Sequence, residues 1–155
     1  MSEAQPPQNQ PQQPATFQIE KVYVKDVSLE IPHAPKVFME QAQPQLEVRI
    51  DTGAENFAEG YFEVTVSATV TARLGERTLF LVEVKQAGIF VMKNLGEPEV
   101  KRSVASICPS VLFPYARAAV SNLVTQGGFP QFLLPPVNFD ALYQRAGDTP
   151  PVTKN

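Results

Sequence analysis

From Tyr61 to Ala72 the chain alternates without a fault. Phe62, Val64, Val66, Ala68 and Val70 fall on one side, and Glu63, Thr65, Ser67, Thr69 and Thr71 on the other. Successive side chains of a strand point to opposite faces, so this period of two predicts a half-buried strand. Leu74-Gly-Glu-Arg77 reads as a turn with Gly75 placed for a positive φ, and Thr78 to Met92 returns as the second arm of a hairpin. Leu46, Val48 and Ile50, set against Glu47, Arg49 and Asp51, predict a third strand that Asp51-Thr-Gly53 ends. Phe17 to Ile31 predicts a fourth, whose alternation slips twice: Phe17 and Ile19, then Val22 and Val24, then Val27, Leu29 and Ile31. Each slip requires a bulge or a bend. In the last stretch Asp26, Ser28 and Glu30 must face away from the apolar side. Pro32-His-Ala-Pro35 breaks this strand, because Pro cannot donate to a ladder, and a crossing loop with Val37, Phe38 and Met39 follows.

The returning strand is apolar on both sides. Phe80, Val82 and Val84 face one way, and Leu79, Leu81 and Ile89 face the other beside Glu83 and Lys85. Such a strand is either sandwiched in its own fold or buried by another subunit. Four strands with few helices leave little to cover both faces, which favours a subunit interface. From Glu97 the period becomes helical, with Val100, Val104, Ile107, Val111, Tyr115 and Leu123 able to share a stripe. Pro109 predicts a break or kink, and Gly127 or Gly128 a C-cap. After a loop dense in Pro and Phe, Asn138 suits the N-cap of a short helix through about Arg145 that buries Leu142 and Tyr143. That loop carries Phe129, Phe132, Leu133 and Leu134. Apolar groups on a Pro-stiffened connection either cap a core or line a docking surface, and the pattern leaves both readings open.

Composition narrows the chemistry. The 155 residues suffice for one domain. A net charge of −3 gives no basic patch for nucleic acid. No apolar run is long enough to predict a membrane span. Residues 1–15 are Gln/Pro-rich and read as a disordered tail with no apolar signal core, so the chain is expected to stay in the compartment where it is made. Residues 147–155 read as a second disordered tail, and 16–146 as the folded domain. His33 and Cys108 are the single His and the single Cys, too few for a zinc site. His33 falls in a Pro-bounded loop and Cys108 on an apolar helix stripe, which argues against a nucleophilic pair. Asp26 and Glu30 share a strand face, but such carboxylates are usually solvated surface. No Gly-rich phosphate loop sits between a strand and a helix. The residues point away from an enzyme, a metal or a cofactor, and towards apolar surface that suits extended peptide.

Several stretches carry a resemblance. Thr16-Phe-Gln-Ile, Val24-Lys-Asp-Val-Ser-Leu-Glu30 and Pro32-His-Ala-Pro-Lys-Val-Phe38 are similar to the start of the SecB family of bacterial protein-export chaperones. So are Phe80-Leu-Val-Glu-Val-Lys-Gln86, Ala87-Gly-Ile-Phe90, Cys108-Pro-Ser-Val-Leu-Phe-Pro-Tyr-Ala-Arg117, Gly128-Phe-Pro-Gln and Pro136-Val-Asn-Phe-Asp-Ala-Leu142. The match runs in order from about Thr16 to Tyr143. It implies an α+β fold: a four-stranded antiparallel sheet, one long kinked helix and a short C-terminal helix, packed as a dimer of dimers. It implies an ATP-independent cytoplasmic holdase that keeps secretory preproteins unfolded and delivers them to the SecA motor of the Sec translocase.

By that resemblance Asp26, Glu30, Leu81 and Glu83 would contact SecA, and Val82, Val84 and Gln86 would govern assembly of the homotetramer. Phe38, Leu46, Val48, Phe129, Phe132 and Leu134 would line the client groove. Two features depart from the family. Gln41-Ala42-Gln43 stands where better-known members carry a Trp in the crossing loop, and the tail after Arg145 lacks an acidic, Gln-rich character. Alternative readings are a SecB-like chaperone serving a toxin–antitoxin pair and, from another class, a small-molecule binding protein using the apolar groove.

Overall fold

The computed structural model describes residues 13–148; the expected tail segments 1–12 and 149–155 lie outside the described residues. Four strands, β1 (Thr16–Glu30), β2 (Gln45–Ala58), β3 (Tyr61–Leu74) and β4 (Arg77–Lys93), form one antiparallel sheet in the order β1-β4-β3-β2. The two slips in β1 are register shifts between Ile19 and Lys21 and between Val24 and Asp26. Gly75 turns the β3–β4 hairpin with φ 59°. The crossing loop holds a 3-10 turn over Lys36–Met39.

β2 does not end at Asp51-Thr-Gly53. It pairs with β3 through Ala58, with Gly53 opposite Thr65. A Cβ on Gly53 would lie 2.9 Å from Thr65 Oγ1, so this glycine serves a close approach within the ladder and not a stop.

One face of the sheet is covered by a continuous helical rod made of α1 (Glu97–Arg102), a π-helical turn (Ser103–Ile107) and α2 (Cys108–Gln126). The expected break near Pro109 takes the form of this wide turn. Pro109 has no N–H to donate, and its ring would crowd the carbonyl of Ala105, so the preceding turn opens to i→i−5 bonding; Cys108 N–H reaches Ser103 O. The extra residue advances the helix phase. Beyond it a buried stripe runs through Cys108, Leu112, Ala116, Val120 and Val124, one residue later than the stripe through Ile107, Val111 and Tyr115 that the sequence suggests, with Pro109, Phe113 and Ser121 buried beside it. Ile107 and Tyr115 are exposed. By length and a mean hydropathy of 1.2 the rod, Glu97–Gln126, could cross a membrane; its inner face instead packs on the sheet.

The core lies between that rod and the even-numbered positions of the two central strands: Val64, Val66, Ala68 and Val70 of β3 with Phe80, Val82, Val84 and Phe90 of β4. The doubly apolar strand is therefore covered on one side by the chain's own helix, contrary to the interface reading for that side. α3 (Phe139–Asp148) begins where Asn138 Oδ1 accepts the Ala141 N–H at 3.0 Å, and Asp140 ties it to the rod through Arg102 and Ser106. It buries Phe139, leaves Tyr143 half-buried and leaves Leu142, expected inside, 51% exposed.

Gly88 lets helix and sheet approach closely, since a Cβ there would sit 2.9 Å from both Leu112 Cδ2 and Phe90 Cε2 and 3.2 Å from Lys21 O. Gly88→Ala is expected to cost about 1–3 kcal/mol by overpacking, and Leu112→Ala about 2–5 kcal/mol by cavity formation. Urea unfolding of the double variant should give less than the sum, because the vacated space accepts the new methyl. Simple additivity would contradict this packing.

Candidate functional site

At one end of the sheet, three loops enclose an apolar groove of about 480 Å³. Its walls are the crossing loop (Val37, Phe38 and Glu40 to Pro44), the start of β2 at Leu46, the β3–β4 hairpin (Leu74, Leu79, Phe80) and the α2–α3 connection (Gly128 to Phe132). The glycine pair makes this possible. Gly128 has φ 85°, its N–H bonds to Thr125 O at 3.0 Å, and the Phe129 N–H bonds to Val124 O at 3.2 Å. This is a Schellman cap, which turns the chain back over the last helical turn and brings the following side chain inward. Phe129 consequently packs between Phe80 (ring centroids 4.7 Å apart) and Phe38 (5.4 Å). Gly128 also makes room for Phe38: a Cβ there would lie 3.1 Å from the ring.

Of the residues expected in a client groove, Phe38, Leu46, Phe129 and Phe132 come together here. Val48 lies two residues along β2, on the same side as Leu46 but outside the hollow, and 40% exposed. Leu134 is fully buried in the core. Leu79 and Phe80 form the floor, a role that alternation assigns to neither. A register shift leaves Leu79 without a cross-strand partner between Phe80, paired with Ala72, and Thr78, paired with Arg73. Leu79 is thereby turned into the interior. The line Leu46, Val48, Ile50 leads along β2 to a second, smaller hollow of about 250 Å³ under α3, lined by Ile50, Phe139, Leu142 and Tyr143.

Among the described residues the other face of the sheet carries no helix. Glu30 pairs with Leu81, Ser28 with Glu83 and Asp26 with Lys85, so Asp26, Glu30, Leu81 and Glu83 form one patch across β1 and β4. Ser28 Oγ donates to Glu83 Oε2 at 3.4 Å. Val82 and Val84 point the opposite way, into the chain's own core, where α2 already covers them. Gln86 is buried and donates from Nε2 to Tyr23 O at 3.1 Å, fastening β4 to β1.

A polar cluster that the sequence pattern does not announce lies beside this patch. The Tyr23 hydroxyl donates to Glu63 Oε2, and Lys25 Nζ lies 2.6 Å from Glu63 Oε1. Tyr23 and Lys25 flank the start of the second β1 register shift, and Glu63 lies two strands away. Lys25 and then Tyr23 hold the Glu63 carboxyl below its ordinary range. Burial, reinforced by Glu63, pushes the Tyr23 phenol up to about 12. Cys108 is fully buried, and that burial pushes its thiol to about 12, away from nucleophile chemistry; His33 is exposed on the crossing loop. Among the described residues no group of three or more His, Cys, Asp or Glu could hold a metal ion.

An ultraviolet titration should resolve one tyrosine near pH 12, and Glu63→Gln should lower it part of the way, because burial, the larger cause, remains. The sign for stability follows. An unfolded Tyr23 ionises near 10 while the folded one keeps its proton, so this group's contribution is intact below pH 10 and is lost as pH rises towards 12. Unchanged titration in Glu63→Gln would rule out the bridge.

Comparison with known proteins agrees with this architecture. The family model described as preprotein translocase subunit SecB matches residues 9–149. The protein-export protein SecB of Neisseria meningitidis serogroup C is 52% identical over 130 residues, covering 83% of this chain and 88% of that protein. The protein of the same name from Chromobacterium violaceum is 51% identical over 133 residues, covering 86% and 88%. In fold, the SecB-like chaperone of Mycobacterium tuberculosis, solved with a ChAD peptide from the HigA1 antitoxin, superposes with a TM-score of 0.64 at 16% identity, over 79% of this chain and 91% of that one. The chain belongs to the SecB family.

Proposed function

We propose that the protein is a cytoplasmic, ATP-independent export chaperone that keeps secretory preproteins unfolded and delivers them to the SecA motor. The observation that carries this reading is the groove: a Phe38–Phe129–Phe80 stack beside an edge strand. Among the described residues β2 pairs with β3 alone, so its outer edge offers unpaired backbone N–H and C=O groups. An extended client can use those groups whatever its sequence, while its apolar side chains enter the hollow. Fully burying one aromatic or aliphatic side chain contributes about 1.5–3 kcal/mol. Several partial burials therefore hold a client firmly enough to delay folding and loosely enough for release. The family is not a class of enzymes, and such holding requires no bond to be broken.

Asp26, Glu30, Leu81 and Glu83 are the proposed SecA contacts. Three carboxylates around one leucine, on the sheet face opposite the core, allow motor and client to be bound together. A homotetramer, a dimer of dimers, accounts for exposed Phe17, Ile19, Val24 and Val27 on β1 and for Ile107 and Tyr115 on the rod. Val82, Val84 and Gln86 would then act on assembly indirectly, by fixing how β4 seats beneath the helix and against β1.

At stoichiometric amounts the chaperone should delay refolding of a slow-folding precursor without nucleotide; no delay would end the export reading. Glu83→Lys should weaken SecA binding about thirty-fold or more, as loss of a desolvated charge contact does, while client binding stays within about two-fold. Equal loss of both would make Glu83 a structural residue.

A further inference from the structure

The crossing loop is fastened lightly. Its backbone hydrogen bonds are local: Ala34 N–H to Ile31 O, Val37 N–H to His33 O, Phe38 N–H to Pro35 O and Glu40 N–H to Val37 O. Val37 is buried and Phe38 leans on Phe129, but Gln41, Ala42 and Gln43 are exposed. Among the described residues, one ion pair joins this loop to another element: Glu40 with Arg77 at the tip of the β3–β4 hairpin. Glu40 lines the groove and Arg77 begins the strand whose Leu79 and Phe80 also line it, so the pair ties the crossing loop to the hairpin wall. On the groove floor Leu79 and Phe80 are 5% and 3% exposed. Phe129 packs on Phe80 at 4.7 Å and Phe38 of the crossing loop packs on Phe129, so movement of that loop loosens one of the two layers that screen the floor.

Resting on the groove reading above, we propose that Arg77–Glu40 is a salt-sensitive latch that positions the crossing loop over the groove and limits access of bulky apolar client side chains to the Leu79/Phe80 floor. Both partners touch solvent, Arg77 more than Glu40. Such a pair shifts a two-state loop equilibrium modestly, by about two- to five-fold. Apparent affinity follows the open fraction, so the latch sets a threshold that rising ionic strength lowers.

The test begins without any client. In amide hydrogen exchange on the full-length protein, Glu40→Gln and Arg77→Gln should each speed exchange at residues 38–43 about two- to five-fold. The reversed pair, Glu40→Arg with Arg77→Glu, should restore wild-type rates. Added salt should speed exchange in wild type and leave the single variants unmoved. An unstructured fluorescent peptide with spaced Trp and Phe residues should bind the single variants two- to five-fold tighter than wild type or the reversed pair. Wild-type exchange in both single variants, or a reversed pair that behaves like either single, would overturn the latch. If no form, wild type included, binds the peptide, the groove reading fails, and the exchange data still decide the latch as a loop-fastening contact.

Discussion

The structure depends on a mismatch of widths. Four strands at about 4.8 Å spacing place the outer axes roughly 14 Å apart before side chains are counted. The single rod laid across them is about 10–12 Å wide. It covers β3 and β4, whose inward residues are fully buried, and cannot also cover both margins. Phe17, Ile19, Val24 and Val27 on β1, and Leu46, Val48 and Phe57 on β2, remain exposed as a result. Longer apolar side chains cannot repair this, because the deficit is one of helices.

Each margin meets the deficit differently. On β2 the α2–α3 connection folds back through the Gly127–Gly128 cap and α3 covers Ile50, leaving a groove at one end and a shallower hollow at the other. On β1 the C-terminal end of α2 reaches Leu29 beside Gly127, while Phe17, Ile19, Val24 and Val27 stay exposed. An edge strand with exposed apolar residues invites pairing with another chain. One fold thus presents a site that suits transient cargo and a margin that suits permanent partners, while the uncovered sheet face supplies a third, acidic surface. Binding work can be divided among these surfaces without any reactive group, which fits a thiol buried as deeply as Cys108.

Much of this was legible in the residues, and what was not has physical reasons. The alternation of β3 and both slips of β1 were readable because side-chain period is local. So were the Gly127–Gly128 cap and the Asn138 cap, which depend on one or two residues. The phase of α2 was not: a π turn adds a residue that no helical wheel contains, and it moved the buried stripe from Ile107 and Tyr115 to Cys108 and Ala116. Gly53 looked like a stop because its reason, the hydroxyl of Thr65, lies on another strand. The resemblance assigns Val82 and Val84 to tetramer assembly; alternation shows that their face is apolar but not what covers it, and α2 covers it. Leu134, read as groove, is core for the same reason, and Leu79 entered the groove through a bulge set by its partner strand. The Tyr23–Lys25–Glu63 cluster needed the strand order, which the chain order does not reveal.

The claim that one copy cannot cover its own apolar margins is tested most directly by the mass of the particle in solution. Static light scattering on the eluting protein at micromolar concentration should give four times the 17.1 kDa chain mass. A monodisperse particle of one chain mass, stable at that concentration, would contradict the account.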